Sequence, residues 1–338
     1  MPRVSKERAV MGLGFLLSAL LAFYFLRRVD LTELGATLKS ANLLILAGCI
    51  LTKGAVFSLG ALRSRVFLRP LRLYSFTECF APLLAGYVTN NLVPFRLGEL
   101  VRIDLLARTG DLSRGSTLAV AALERLLDLL SFLVLLVAVV PMLAVDLSGD
   151  RRFVWALAAI TLAVAISITV VARPRLLPRV AALVAGPLSP RAQAWLFDKA
   201  ERVVDGFSAL RSTRAVFTAV FITFLIRLAG LTTIQCWIWA FDLDLPVYAP
   251  VVVMVFLSVG TMVPSSPGFV GTFHVAVAYA LELMGIDATL AASVAIAGHF
   301  MATIPWTLVG LAVSLPAIRS VWKQRSRQGT PAQGVVGT

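Results

Sequence analysis

The chain has 338 residues, of which 59% are hydrophobic and 14% are charged, and its formal net charge is +13 at pH 7. Several apolar runs approach the roughly 20 residues that a spanning helix needs, which excludes an ordinary soluble enzyme and indicates a membrane protein. The basic residues lie mainly in short loops between these runs, where they indicate membrane topology and contacts with anionic lipids. We therefore expect membrane lipids as partners and no nucleic acid.

The first two apolar runs predict two retained helices. Residues 10–26 follow a basic leader and lack a small-residue cleavage site, so they do not read as a signal peptide. The second run, residues 42–62, carries Lys53 near its middle. Arg63 and Arg65 close it and predict that a cytoplasmic loop follows.

The third run, residues 78–93, continues into a stretch where amides, a proline, a glycine and charges interrupt the helix. Backbone that breaks inside a bilayer must lie in protein or line a wet cavity, because lipid offers it no hydrogen bonds. Ionisable groups at such a break indicate a functional site. The alternative is a helix that ends at the surface, with its arginines against lipid headgroups. The candidate residues are Asn90, Asn91, Pro94, Arg96, Gly98, Glu99 and Arg102.

A polar helical stretch over residues 98–108 precedes an apolar run over residues 116–140. This run carries Glu124, Arg125 and Asp128 in its first half. The two acids are four residues apart and so share one face of a helix. They are candidates to hold nearby cations when no substrate is bound; the alternative is a static buried ion cluster that joins helices.

The second half contains runs over residues 153–172 and 215–240, the latter with Arg227 in its middle, then two short apolar pieces and a last run over residues 288–315. A basic connector separates the first two runs, and its residues 191–210 predict a helix on the membrane surface. The two short pieces, residues 248–263 and 272–284, flank a second break at Pro264, Pro267, Gly268 and Gly271. Glycines there favour an anion near a half-helix start, or serve only to break the helix.

The distribution of Lys and Arg sets the expected topology. The leader, the loop after the second run, residues 102–114, the connector and the tail are basic and therefore cytoplasmic, whereas the loop over residues 241–250 has no Lys or Arg and lies outside. A spanning third run would place residues 102–114 outside, so we expect it to enter from the cytoplasm and return. The short pieces of the second half are expected to form a similar hairpin that enters from outside.

The predicted fold is an all-α polytopic membrane protein with an inverted repeat, six spans and two re-entrant helical hairpins. The repeats cover residues 8–141 and 152–316 of a single membrane domain, residues 1–320, and residues 321–338 are expected to be a disordered cytoplasmic tail. The pattern V-P-x-x-x-G recurs with an offset of 264 − 94 = 170, and the mid-run cations Lys53 and Arg227 differ by 227 − 53 = 174. Inverted repeats with broken helices are typical of secondary transporters. Both termini should be cytoplasmic, in the cell (inner) membrane.

Three motifs together resemble a known family. They are the first break, the pattern E-R-L-x-D over residues 124–128 and the stretch P-S-S-P-G-F-V-G over residues 264–271. The chain is similar to the flippase-like integral membrane family related to the transmembrane region of lysylphosphatidylglycerol synthetase, the multiple peptide resistance factor. The family pattern N-x-x-x-P-x-R-x-G-E-x-x-R falls on residues 90–102. This resemblance implies a membrane protein that moves polar-headed lipids between leaflets. About 20 residues follow the last run, too few for the synthetase's aminoacyl-transferase domain, so we do not expect this chain to attach lysine to lipid.

A phosphate-bearing lipid is the expected substrate, because its headgroup needs fixed charges to replace lost hydration inside the bilayer. Arginine binds phosphate through two parallel donors, and Lys53 would act as a point charge. Lys53 could instead extend toward the membrane surface. The expected substrate-binding residues are Lys53, Asn90, Asn91, Arg96, Glu99, Arg102, Glu124, Arg125, Asp128 and Arg227. At least one of Lys53 and Arg227, and on our expectation both, should point to the central cavity, within reach of the acids of the first half or of residues 94–99.

The cysteines, Cys49, Cys79 and Cys236, are far apart in the sequence and form no C-x-x-C pair, and the two histidines have no metal-ligand spacing. We therefore expect no metal, no cofactor and no catalytic residue. There is no P-loop, so any driving force must come from ion gradients or downhill lipid flow. The alternatives are a membrane-embedded transferase that uses Glu99 or Asp128 as general base, and a non-catalytic partner of a lipid-modifying enzyme.

Overall fold

A computed structural model of the chain describes residues 27, 31–93, 97–139, 162, 212–262 and 266–328. Within these residues all regular structure is helical, as the sequence predicts. The helices are α1 (Leu31–Ser40), α2 (Leu43–Leu68), α3 (Phe76–Leu92), α4 (Gly98–Gly110), α5 (Arg114–Val139), α6 (Thr213–Ala240), α7 (Ala249–Met262), α8 (Thr272–Glu282) and α9 (Ala288–Gln328). The predicted helices over residues 10–26 and 191–210 lie outside the described residues, and of the one over residues 153–172 the structure describes residue 162 alone.

Within the described ranges, three helices are long and apolar enough to cross a membrane: α2, α6 and the part of α9 over Ala288–Pro316. The helix α5 has 26 residues, as many as α2, but carries ionisable side chains in its first half. The short apolar helix α7 has 14 residues, or about 21 Å at 1.5 Å per residue, against a hydrocarbon core of about 30 Å. These lengths and compositions are those of a membrane protein.

Local capping explains where several helices begin. The side chain of Asn42 accepts hydrogen bonds from the backbone N–H groups of Leu44 and Ile45 at the start of α2. Ser75 and Glu78 form a reciprocal capping box at the start of α3. Just before it, Tyr74 is buried and its hydroxyl donates to the carbonyl of Leu106 at 2.8 Å, and burial raises the pKa of this hydroxyl to about 12.

The helix α2 ends at Leu68, beyond the residue 62 that the sequence analysis gave it. The prediction that Arg63 begins a cytoplasmic loop is therefore wrong: it lies within the helix and its side chain is buried. Burial is possible because Arg63 has a carboxylate partner, Asp128 of α5. The helix continues because no Gly or Pro follows Gly60 until Pro70.

Helix α2 packs against α6 at the centre of the described bundle. Lys53 belongs to α2 and Arg227 belongs to α6. Helices α3 and α4 form one antiparallel pair, which packs on α2, α5 and α9. Helices α7 and α8 form a second pair, which packs on α6, α5 and α9. Two apolar cores result: one lies mainly among α6–α9 with parts of α2 and α5, and the other lies among α2–α5 with one residue of α6.

The arms of the first hairpin, α3 and α4, are in backbone contact. A Cβ added at Gly98 would lie 2.0 Å from the carbonyl oxygen of Gly86, so only glycine fits there. The N–H of Gly98 donates to the side chain of Asn90 at 2.9 Å. Asn90 thus fixes the start of α4, while Pro94 and Arg96 lie outside the described residues.

The structure describes three of the four residues predicted for the second break: Pro267, Gly268 and Gly271. A short 3₁₀ turn runs over Pro267–Phe269, and Gly268 and Gly271 have φ values of 70° and 91°. These values lie where glycine is favoured, and they redirect the chain into α8. The turn packs against the end of α3, so the two breaks meet. Pro264 lies outside the described residues.

The last helix continues to Gln328, so the prediction of a disordered tail is wrong for residues 321–328. Extending an existing helix requires no new nucleus, and Lys, Gln and Arg are good helix formers. Residues 329–338 lie outside the described residues.

Candidate functional site

A buried ion pair joins the first hairpin to α5. Arg102 of α4 donates to the carboxylate of Glu124, which is only 1% exposed, and to the hydroxyl of Ser64 at 2.8 Å. Ser64 in turn donates to Glu124 at 2.7 Å. Arg102 also reaches Glu99 at 3.3 Å. This part of the cluster excludes water and behaves as a structural connection between helices.

Asp128 is the second centre of the cluster and faces three guanidinium groups. Its carboxylate lies 2.8 Å from Arg63, 3.4 Å from Arg125 and 3.6 Å from Arg227. Arg227 also donates to the backbone carbonyl of Asp128 at 2.8 Å and to the hydroxyl of Ser131 at 2.7 Å. Arg125 reaches across to Glu99 at 2.7 Å and is 61% exposed. This side of the cluster is accessible, unlike the Arg102–Glu124 pair.

The cluster carries one excess positive charge. Its four arginines face three carboxylates, which leaves 4 − 3 = 1 cation. The members are Arg63, Glu99, Arg102, Glu124, Arg125, Asp128 and Arg227. A cluster of this composition binds an anion more readily than a cation.

A cavity of about 330 Å³ lies on the other side of Arg227; we call it the polar cavity because charged and polar side chains interrupt its otherwise apolar lining. Lys53, Tyr87, Asn91 and His299 line it together with Arg227. Asn91 donates to the hydroxyl of Thr307 of α9 at 2.9 Å, so this amide connects the end of α3 to the last helix.

Lys53 projects into this cavity but has no carboxylate within ion-pair distance among the described side chains. The expectation was that at least one of Lys53 and Arg227 would reach the acids of the first half or residues 94–99. Arg227 lies 3.6 Å from Asp128, whereas Lys53 meets none of these acids among the described side chains. The ammonium group lies 5.5 Å from the ring centre of Phe57 and 5.8 Å from that of Tyr87. Aromatic faces attract a cation and supply part of the missing compensation.

An apolar groove of about 390 Å³ runs between α5 and α6. Leu127, Val134, Phe224 and Leu228 line it, and Arg227 is its one ionisable lining residue in the described part of the chain. Arg227 therefore borders the apolar groove, the polar cavity and the ion cluster at once.

The structure brings six of the predicted site residues into the ion cluster and places two more in the cavity. Glu99, Arg102, Glu124, Arg125, Asp128 and Arg227 are in the cluster, and Lys53 and Asn91 line the cavity. Asn90 caps α4, Gly98 permits close packing of the hairpin, and Gly268 lies near the backbone of Asn91.

Sequence analysis missed Arg63, Ser64 and the histidine pair. Arg63 and Ser64 follow the apolar run and were interpreted as loop residues, although no Gly or Pro lies between residue 61 and Pro70. His274 and His299 are 25 residues apart in the chain. The packing of α8 on α9 brings Nε2 of His274 within 3.1 Å of Nδ1 of His299. No sequence pattern signals that contact.

Of three comparisons with known proteins, one found a match. A search of curated proteins and a search of solved structures found no match to the chain. The family described as the lysylphosphatidylglycerol synthase TM region matches residues 11–310, which covers every site described above. The chain therefore belongs to the family of the lysylphosphatidylglycerol synthase TM region.

Proposed function

We propose that the protein is a transporter, and not an enzyme, that moves a phosphate-bearing anionic lipid between the leaflets of the cell membrane. The observation that carries this proposal is the position of Arg227 between a polar cavity that contains Lys53 and an apolar groove. A lipid has the same division: a charged headgroup beside apolar chains. The headgroup would occupy the cavity between Lys53 and Arg227, with a chain in the groove between α5 and α6.

The charges of the site suit a phosphate group. A guanidinium donates two hydrogen bonds to phosphate oxygens, and the Lys53 ammonium adds a point charge. In the described residues the lining of the cavity includes these two cations and no carboxylate. A headgroup with net positive charge would meet like charge there, so the lysyl headgroup in the family's name is not the substrate that we propose.

Arg227 also connects the cavity to the ion cluster. A phosphate that approaches Arg227 competes with Asp128, whose carboxylate is at 3.6 Å. Asp128 retains Arg63 at 2.8 Å when that contact weakens, so it is not left as an uncompensated charge. The cost of the exchange is thereby kept low, which favours reversible binding.

An inverted repeat is part of the proposal, and close contacts within the two hairpins support it. A Cβ at Gly86 would meet the carbonyl of Gly98, and a Cβ at Gly260 would meet the carbonyl of Thr272. The offsets are 260 − 86 = 174 and 272 − 98 = 174, the same as between Lys53 and Arg227. Six spans, two re-entrant hairpins of opposite entry and cytoplasmic termini complete the proposed arrangement.

The test is lipid exchange between leaflets of liposomes that contain the purified protein. The probes are labelled phosphatidylglycerol, phosphatidylcholine and lysylphosphatidylglycerol. We expect protein-dependent exchange of phosphatidylglycerol and slower exchange of the other two lipids. Lys53→Met and Arg227→Met should each lose at least about tenfold, since each removes a partly buried cation worth more than about 1.4 kcal/mol to an anion.

The matched controls are Lys39→Met and Arg69→Met, which change exposed residues and should leave exchange unchanged. Equal losses in controls and cavity variants, or equal exchange of all three lipids, would contradict the proposed site. Formation of a new lipid product by the purified protein would favour the transferase alternative.

A further inference from the structure

The two histidines of the chain, His274 and His299, form a hydrogen-bonded pair at the second break. Their rings are joined by a contact of 3.1 Å between Nε2 of His274 and Nδ1 of His299. His299 lines the polar cavity and stacks on Phe273 at 4.4 Å between ring centres. The pair is thus next to the place proposed for the headgroup.

The protonation of the neutral pair follows from its hydrogen bonds. The backbone N–H of Gly271 donates to Nδ1 of His274, so that nitrogen carries no proton and Nε2 does. Nε2–H then donates to Nδ1 of His299, which leaves the proton of His299 on its Nε2. The backbone of Gly268 hydrogen-bonds the ring of His299.

One added proton cannot be accommodated without breaking a contact. If it binds Nδ1 of His299, two N–H groups face each other and the hydrogen bond between His274 of α8 and His299 of α9 is lost. If it binds Nδ1 of His274, the bond from Gly271 at the start of α8 is lost. Proton uptake is therefore linked to a movement of the broken helix.

The surrounding charges determine when a proton is taken up. Lys53 of α2, Tyr87 of α3 and Arg227 of α6 face the same cavity, and α7 has no titratable side chain. Glu99 of α4 forms ion pairs with Arg102 and Arg125. Lys39 of α1 is exposed. An imidazolium beside an empty cavity would thus be repelled by two cations, whereas an anionic headgroup between them removes this repulsion.

We infer that the His274–His299 pair takes up one proton when an anionic headgroup occupies the cavity, so that proton and lipid are transported together. This inference rests on the proposed function. It adds a reason for the coupling: a proton together with a singly charged lipid moves no net charge through the bilayer, which lowers the electrostatic cost of the crossing. The linkage is reciprocal, so acid conditions on one side should favour loading there.

The first test is direct titration of the imidazoles by NMR. The protein contains no other histidine, so histidine-labelled protein with a histidine-free purification tag reports on this pair alone. We compare nanodiscs of phosphatidylcholine with nanodiscs that also contain phosphatidylglycerol. The expected result is an increase in proton affinity on the order of tenfold with the anionic lipid. The negative surface potential of the nanodisc shifts all variants alike, so Lys53→Met is the control and should show a smaller shift. An equal shift in both proteins would overturn the inference.

The second test is lipid exchange in liposomes with and without a pH gradient. We expect a gradient to accelerate the transfer of phosphatidylglycerol away from the acidic side, and the ratio of rates with and without the gradient to fall to one in His274→Gln. Exchange by the wild type with a ratio of one would overturn the inference and leave the proposed function intact. No exchange at equal pH would instead contradict the proposed function, while the NMR titration would still report on the pair.

Discussion

The buried pair of Arg102 and Glu124 gives the sharpest test of the described architecture. The variant Arg102→Met leaves the Glu124 carboxylate, 1% exposed, with the hydroxyl of Ser64 as its one hydrogen-bond partner among the described residues. Removing one partner of a buried ion pair costs about 3–5 kcal/mol. The free energy of unfolding should fall by this amount. At about 1.4 kcal/mol per tenfold, the folding equilibrium constant should therefore decrease by roughly 100- to 4000-fold.

The matched control is on the same helix. Arg108 pairs with Asp104 at 2.7 Å, but both side chains are about one-third exposed (31% and 32%). Such a pair contributes about 0–1 kcal/mol, so Arg108→Met should have a small effect.

The assay is equilibrium unfolding of the purified protein in mixed micelles, followed by tryptophan fluorescence. The double variant Arg102→Met, Glu124→Leu removes both charges and should recover most of the loss, because no buried charge remains uncompensated. Equal losses for Arg102→Met and Arg108→Met, or a double variant no more stable than Arg102→Met, would refute this account of the cluster.

Three further predictions concern the hairpin, the accessible arginine and the topology. Gly98→Ala should prevent correct folding because its Cβ would overlap the backbone of α3, whereas Gly35→Ala, with no atom within 4 Å of the added Cβ, should fold normally by size-exclusion chromatography. Arg125→Gln should reduce lipid exchange several-fold while changing stability by less than about 1 kcal/mol, since this guanidinium is 61% exposed; a large loss of stability would assign it to the structural part of the cluster. In a cysteine-free background, Val247→Cys should react with an impermeant thiol reagent in intact cells and Arg114→Cys should not; the reverse result would exclude the proposed entry sides.

The sequence predicted the helices well, because their positions depend on the length and hydropathy of each segment. It predicted the environment of individual side chains less well, because that depends on residues distant in the chain. The positions of α3–α9 follow from apolar runs and breakers. Arg63 was misplaced because a buried arginine depends on Asp128, which is 65 residues away in the chain. Lys53 was expected beside an acid because carboxylates are the obvious partners of an ammonium, whereas the structure uses the rings of Phe57 and Tyr87. Contacts of this kind are set by packing between helices and leave no local pattern.

The glycine contact in the first hairpin also determines how that hairpin can move. Helix α4 cannot slide along α3 by one turn, because Arg102 would then replace Gly98 against the backbone of Gly86, where a hydrogen atom is all that fits. The two helices therefore have a single register relative to each other and should move as one rigid body. A displacement of the hairpin at its turn, near Asn91, must also displace its opposite end, where Arg72 donates to the carbonyl of Thr109. Spectroscopic distance probes placed at the two ends of this hairpin should consequently report the same motion.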